Sequence, residues 1–254
     1  MHATSPIQKL PDWFKIRPPS SEKFSLIKNQ LREREIVTVC QEAHCPNLSE
    51  CWSGGTATFM LMGDTCTRGC RFCAVKTGNP KTWLDPKEPE KLADAIEKFN
   101  LDYAVITSVA RDDLPDGGAR HIAKCLQTVH KKTPKVLIEL LIPDFRGRED
   151  SLQIVLNAKP VVLAHNIETT QRLTPRVRDG RANYRQSLTV LKTAKKLAPH
   201  IYAKTSIMLG LGETEEELIQ TFKDLRENQV DFLTLGQYLP PSNSHVPLHE
   251  YVHP

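Results

Sequence analysis

The sequence predicts an α/β protein, a partial (β/α)6 barrel of the TIM type preceded by a cysteine-rich N-terminal extension. Three observations predict it. From position 57 onward, six strand-like runs alternate with five amphipathic stretches. Polar or glycine-rich clusters follow one strand after another, at the place where parallel α/β sheets gather their reactive groups. Six of the seven cysteines fall between positions 40 and 73, on either side of the first strand. The alternation alone also admits an open, doubly wound sheet. The expected division is an extension over 1–55 and a barrel over 56–254.

Taken in order, residues 1–35 read as an irregular arm punctuated by Pro6, Pro11, Pro18 and Pro19, with a helix over 20–34. In Pro11-Asp12-Trp13-Phe14 the two aromatics are expected to pack on the main domain. The strand-like runs are 58–62, 103–107, 136–142, 161–165, 202–209 and 232–237. Between them, 86–99 reads as a helix with Asp85 as N-cap, Pro86 at its first position, and Leu92, Ile96 and Phe99 on one face. The stretch 118–130 carries Ile122, Leu126 and Val129, with Cys125 beside them as a small buried hydrophobe. Helices follow over 150–157 and over 184–197, the latter with Leu188, Leu191 and Ala194. The last spans 214–227, where Thr214 and Glu217 form a capping box ahead of Leu218, Phe222 and Leu225.

Composition narrows the function classes. Hydrophobic content of 39% and charged content of 25% over 254 residues suffice for a sizeable core. A net charge of +4 lacks the dense basic stripe of a nucleic-acid binder. The N-terminus has no apolar signal core and no apolar run reaches membrane-spanning length. The expected location is therefore cytoplasmic, or an organelle lumen after removal of a targeting segment, with neither nucleic acid nor membrane as a partner. In such a reducing compartment, clustered cysteines argue for metal or catalysis rather than disulfides.

Cys66, Cys70 and Cys73 are spaced C-x3-C-x2-C directly after the first strand, so a tight loop can turn three sulfurs onto one centre. Three ligands fall one short of a closed zinc site or an ordinary iron–sulfur cluster. A [4Fe–4S] cube held this way keeps one iron free for a small molecule; a zinc knuckle lacking its fourth ligand is the plain alternative. Cys40, Cys45 and Cys51 form a second triad, C-x4-C-x5-C. The two triads suggest two clusters; four cysteines on one zinc with two left over is the other count. His44 lies inside the second triad and could be a ligand, but lone histidines near metal loops more often stand behind the ligands or in solvent, so it is left out of the set.

The strand-end clusters are candidates for holding a cofactor and substrate. After the second strand, the run Thr107-Ser108-Val109-Ala110-Arg111-Asp112-Asp113 offers hydroxyls and carboxylates that suit an ammonium and a ribose, above all Thr107, Ser108 and Asp113. Pro143-Asp144-Phe145 follows the third strand, and His165-Asn166-Ile167-Glu168 the fourth, with Asn166 and Glu168 as candidates. After the fifth, Gly210-Leu211-Gly212-Glu213 could cradle a phosphate at a helix N-terminus, but it lacks the Lys-Ser/Thr of a P-loop. Of the basic run Arg172, Arg176, Arg178, Arg181 and Arg185, Arg178 is the candidate carboxylate clamp.

The three-cysteine loop, with Phe72 before its last thiol, resembles the signature of the radical S-adenosylmethionine (SAM) enzymes. With Cys40 to Cys51, Glu50-Cys51-Trp52, Arg111-Asp112-Asp113-Leu114, Asp116-Gly117-Gly118-Ala119, His165-Asn166-Ile167-Glu168 and Met208 to Glu213, the chain resembles the lipoyl synthase family from about position 35 onward. That resemblance implies a SAM-cleaving [4Fe–4S] cluster on Cys66, Cys70 and Cys73, with the backbone at Phe72 near the adenine. It implies a second, auxiliary [4Fe–4S] cluster on Cys40, Cys45 and Cys51 as the sulfur source. The implied reaction uses 5′-deoxyadenosyl radicals to insert sulfur at C6 and C8 of an octanoyl chain. That chain is borne on a lysine of a lipoyl carrier domain or glycine-cleavage H protein, and an external donor supplies electrons. The family's Arg-Ser-Ser-Tyr segment, whose serine completes the auxiliary cluster, does not occur in the sequence, and nothing marks Ser242 or Ser244 as its replacement. On this reading the chain is expected to cleave SAM but to be impaired in sulfur insertion. A sulfur inserter of the biotin-synthase type, a methylthiotransferase, and a non-catalytic iron–sulfur or zinc carrier are the rival readings.

Overall fold

The structure, a computed structural model, describes residues 10–14, 29, 38, 48–53 and 58–254. In chain order the elements are α1 (Leu48–Ser53), β1 (Thr58–Leu61), β2 (Thr65–Cys66), β3 (Lys76–Thr77), α2 (Glu88–Lys98), β4 (Tyr103–Ser108) and α3 (Ala119–Lys132). They continue with β5 (Leu137–Leu141), α4 (Glu149–Leu156), β6 (Val162–Ala164), α5 (Thr174–Val177), α6 (Tyr184–Leu197), β7 (Tyr202–Leu209), α7 (Glu215–Glu227) and β8 (Phe232–Gln237). The expected helix over 20–34 lies almost wholly outside the described residues.

All six expected strands join one parallel sheet in the order β1-β4-β5-β6-β7-β8. Each strand is laid beside the one before it, and the order never reverses. Right-handed crossovers then throw every helix to the same face. That is the winding of a barrel wall, and it removes the doubly wound alternative, whose order must reverse at a switch point. It also sends every strand's C-terminal end to one mouth. β2 and β3, two residues each, pair in parallel and close the base of the cysteine loop, where the Gly78 amide donates to the Cys66 carbonyl at 2.9 Å. Runs so short have no periodicity to read.

Burial follows the predicted faces. Leu92, Ile96, Ile122, Leu126 and Val129 are buried against Phe59, Ile106, Ile138 and Leu140 of the sheet. Cys125 is fully buried among them, as expected, and burial pushes its thiol pKa well up. The Thr214–Glu217 capping box is present as read. At α2 the start differs: the helix begins at Glu88, with Lys87 at the cap position and Pro89 within the first turn. The Asp85 carboxylate instead accepts from the Lys87 amide at 2.9 Å, a local turn that ends one residue short of the helix. Glu88 sits at the start because it is needed there. Its carboxylate accepts from the Met62 amide at 2.9 Å and meets His121 Nε2 at 2.5 Å, clasping β1, α2 and α3 together.

Past β8 the chain turns back over the mouth. The Val246 amide donates to the Arg71 carbonyl at 3.0 Å, Tyr238 Oη to the Val246 carbonyl at 2.8 Å, and the His249 amide to the Gly210 carbonyl at 2.8 Å. Trp13 and Phe14 do pack on the rest of the molecule, but on this returning tail: their rings lie 4.8 Å from His253 and 6.2 Å from Tyr251. Gly210 has φ +92°, and a Cβ there would stand 2.3 Å from the Glu250 carbonyl oxygen. Gly210→Ala is expected to destabilise the protein by about 3 kcal/mol through backbone strain and displacement of the tail. Gly236→Ala, with open space around it, should stay within about 0.5 kcal/mol. Urea unfolding of the two variants checks the contrast.

Candidate functional site

The cysteine loop is staked to the mouth residue by residue. The Thr67 amide donates to the Ala110 carbonyl at 3.0 Å, and the Thr67 hydroxyl accepts from the Asp112 amide at 2.9 Å. Arg68 is buried and forked between two carboxylates, with Nε 2.9 Å from Asp112 Oδ2 and Nη1 2.7 Å from Asp144 Oδ2. The Gly69 amide donates to Asp179 Oδ2 at 2.9 Å, and the Arg71 amide to the Val177 carbonyl at 2.9 Å. His245 Nε2 lies 3.2 Å from the Cys73 carbonyl. The loop therefore touches the segments after β4, β5 and β6 and the tail after β8.

Two thiols already carry the amide contacts that a bound thiolate needs. Cys66 Sγ accepts from the Arg68 amide at 3.4 Å and Cys70 Sγ from the Asp179 amide at 3.3 Å. The sulfurs repel one another as thiolates: Cys73 is pushed up to about 11, first by burial and then by the charges of Cys70 and Cys66. A soft, multiply cationic centre is the kind of group that relieves this repulsion, so the donor set fits an iron–sulfur cluster. Of the second triad, Cys40 and Cys45 lie outside the described residues. Cys51 is in α1, half-buried and packed against the main core together with Leu48.

The strand-end candidates separate into two groups. Glu168, Asn166 and Arg178 come together. Burial pushes the Glu168 carboxyl pKa up, against the opposing pull of Arg178 and an Asn166 hydrogen bond. Glu168 also holds φ +69°, a strained conformation for a side chain, kept by backbone bonds to Ser206 and Met208. The Arg178 charge acts on both Cys70 and Glu168, so its guanidinium stands between the loop and β6. Phe72 packs beside Leu173, Val177, Leu211, Tyr238 and Val246, a small apolar cluster at the mouth.

Thr107, Ser108 and Asp113 fare differently. Thr107 is buried and its hydroxyl donates to the Leu141 carbonyl at 3.1 Å, tying β4 to β5. Ser108 Oγ is buried without a protein partner. Asp113 is committed elsewhere: Arg111 occupies it at 2.8 and 2.9 Å, and the Thr82 amide at 2.9 Å. Its neighbour Asp112, which sequence reasoning passed over, is the carboxylate that faces the cysteine loop. The arginine inside C-T-R-G-C was the available signal, since a buried cation needs an acid within reach. The phosphate cradle also needs correction. Gly210 and Leu211 amides donate to Glu213 at 2.5 and 2.9 Å, and the tail covers the turn, so those donors are taken.

Behind Arg178 runs a directional chain. Arg178 Nη1 donates to Ser187 Oγ at 2.8 Å, so the serine proton goes to His165 Nε2, 2.9 Å away. His165 Nδ1 then donates to the Ile142 carbonyl at 2.9 Å, which makes the ring neutral. Its pKa is lowered to about 4, by burial first and by the Arg178 charge second.

Two family models match the chain. One, described as the radical SAM superfamily, covers residues 60–225; the other, the N-terminal domain of lipoyl synthase of the radical SAM family, covers residues 2–45. The mitochondrial lipoyl synthase of Schizosaccharomyces pombe is 55% identical over 252 residues, which are 97% of this chain and 68% of that protein. The lipoyl synthase of Legionella pneumophila is 54% identical over 244 residues, 96% of this chain and 74% of that one. Among solved structures, methylornithine synthase superposes with TM-score 0.59 at 15% identity, covering 91% of this chain and 64% of that one. An FeFe-hydrogenase maturase from Carboxydothermus hydrogenoformans gives TM-score 0.60 at 13% identity, covering 91% and 60%. These two likenesses concern the fold alone.

The His165 chain has a pH signature. A base whose pKa falls on folding binds fewer protons when native, so stability is full above about 6.5 and drains as pH falls towards 4. Between pH 7 and 5 this group alone should remove about 2 kcal/mol. Urea unfolding of the cluster-free protein at the two pH values measures it, and His165→Gln should flatten the dependence.

Proposed function

The chain belongs to the lipoyl synthase family of radical SAM enzymes, and on that footing we propose that it inserts sulfur at C6 and C8 of an octanoyl chain. The chain's carrier would be a lysine of a lipoyl carrier domain or of glycine-cleavage H protein. The observation that carries the proposal is the C-x3-C-x2-C loop, staked at the mouth of a six-stranded parallel wall whose strand ends present Glu168, Asn166 and Arg178 beside it. When bound, a [4Fe–4S] cluster on Cys66, Cys70 and Cys73 would supply the electron that cleaves SAM, and one on Cys40, Cys45 and Cys51 the sulfur.

The protein's own residues bind and orient. Arg178, with its Nε buried and unpartnered, would take the carboxylate of SAM. Ser108 Oγ, likewise unpartnered, is a second polar group at the strand ends for the same ligand. Glu168 and Asn166 would hold the ammonium or ribose, and the backbone at Phe72 the adenine. Thr107 ties β4 to β5 beneath them, and Asp113, paired with Arg111, accepts directly from the Thr82 amide and steadies the chain there. Arg178 is buried, and Glu168 and the three thiols are half-buried, which would limit the water that reaches a reactive carbon radical. An external donor would supply the electrons. No helix among the described residues is long and apolar enough to cross a membrane. The extension over 1–55 would act as the carrier of the second cluster, laid against the barrel through Leu48 and Cys51.

The test uses anaerobically reconstituted protein, an octanoyl-lysine peptide, SAM and a strong reductant, with mass spectrometry of both products. Expected are 5′-deoxyadenosine, thiolated peptide in low yield, and about eight irons per chain from two clusters. Cys66→Ala should abolish both products. Cys51→Ala should keep 5′-deoxyadenosine formation, lose about half the iron, and lose sulfur insertion. Undiminished thiolation by Cys51→Ala would overturn the proposal.

A further inference from the structure

Arg68 lies inside the cysteine loop yet points away from the thiols' chemistry. Its guanidinium makes two forks: Nε and Nη2 reach Asp112 at 2.9 and 3.0 Å, and Nη1 and Nη2 reach Asp144 at 2.7 Å each. Both carboxylates are themselves held. Asp144 accepts from the Arg146 amide at 2.9 Å and from Gln186 Nε2 at 2.7 Å, while Asp112 accepts from Arg146 Nε at 3.0 Å. Arg181 adds a bond to the Thr67 carbonyl at 2.7 Å and an ion pair to Asp179, the residue that receives the Gly69 amide. Three guanidiniums and three carboxylates thus balance around one loop.

A buried ion network of this kind adds little net stability, because desolvation consumes most of the Coulombic gain. Its use lies in geometry, since a planar fork admits one arrangement of its partners where a lysine point charge admits many. Asp112 and Asp144 follow the neighbouring strands β4 and β5, so the fork refers the loop to two adjacent strands of one sheet. None of these contacts uses a cysteine sulfur.

We propose that Arg68 is a positioning residue that sets the conformation of the three-cysteine loop before any cluster is present, by bridging Asp112 and Asp144. The proposal rests on reading Cys66, Cys70 and Cys73 as cluster ligands, whereas its first measurement needs no cluster and no activity. Amide hydrogen exchange of the cluster-free protein reports the loop through Thr67, Gly69 and Arg71, whose amides are bonded to Ala110, Asp179 and Val177. Arg68→Ala should speed exchange over residues 66–71 by about tenfold or more, since bonds to charged groups are the strong ones. Exchange in β5 and β7 should stay unchanged. Arg68→Lys should fall between, because it keeps charge and loses the fork. After reconstitution, Arg68→Ala should release iron to a chelator about tenfold faster than the unsubstituted protein.

Unchanged loop exchange in Arg68→Ala, or an equal rise throughout the sheet, overturns the proposal in favour of a general support role. Should Arg68→Ala fail to fold, Arg68→Lys and Asp144→Asn are read the same way, and unchanged loop exchange in both overturns it. Faster loop exchange with no iron bound by any variant, or by the unsubstituted protein, would leave the positioning role standing and remove the cluster reading instead.

Discussion

The guanidinium of Arg68, shared by carboxylates from two adjacent strand ends, is the contact on which the geometry of the mouth depends. It joins the cysteine loop to the turns that leave two neighbouring strands of the sheet. The parallel winding makes this possible, because strands laid in sequential order deliver Asp112 and Asp144 to the same level. Electrostatics then hold the assembly in one charge state. Burial alone would favour protonating Asp112, yet Arg68 and Arg146 hold it down at about 2, so the network stays ionised at any pH where the protein works. The neighbouring chain through Ser187 and His165 works in the opposite sense. There, burial strips the ring of charge and fixes which nitrogen carries the proton.

How much of this the sequence discloses depends on the range of the interaction. The six strands were legible because β-branched and aliphatic runs of five to eight residues are bounded by polar punctuation, and all six formed at the expected places. The capping box at Thr214 was legible because both its partners lie within one turn. The start of α2 was misplaced because Asp85-Pro86 and Glu88-Pro89 carry the same local signal. A bond from Met62, 26 positions away, selects the second. Asp112 and Asp113 are likewise equal to any local rule; the turn leaving β4 sends one to Arg68 and the other to Arg111. The glycine-rich turn at 210–212 was read as a phosphate cradle, but a local rule could not say what stands against Gly210. It is the protein's own backbone rather than a phosphate.

The cysteines show the same division. Spacing alone identified the loop, since three thiols in eight residues leave few other uses. The amide contacts to Cys66 and Cys70, and the paired strands that close the loop's base, come from residues with no distinguishing type. The relationship to the lipoyl synthase family extends over nearly the whole chain.

The tail after β8 has one more consequence. His245 meets the Cys73 carbonyl across 172 positions of sequence, and Val246 meets Arg71 beside it. Segments that share a boundary in this way exchange free energy in equal measure, whichever of them is perturbed. A ligand that binds the thiol loop more tightly when the tail is docked favours the docked tail by the same factor, and a partner that binds the docked tail favours the loop's ligand in return. The last turn of the fold is thereby a reporter of the state of its first one.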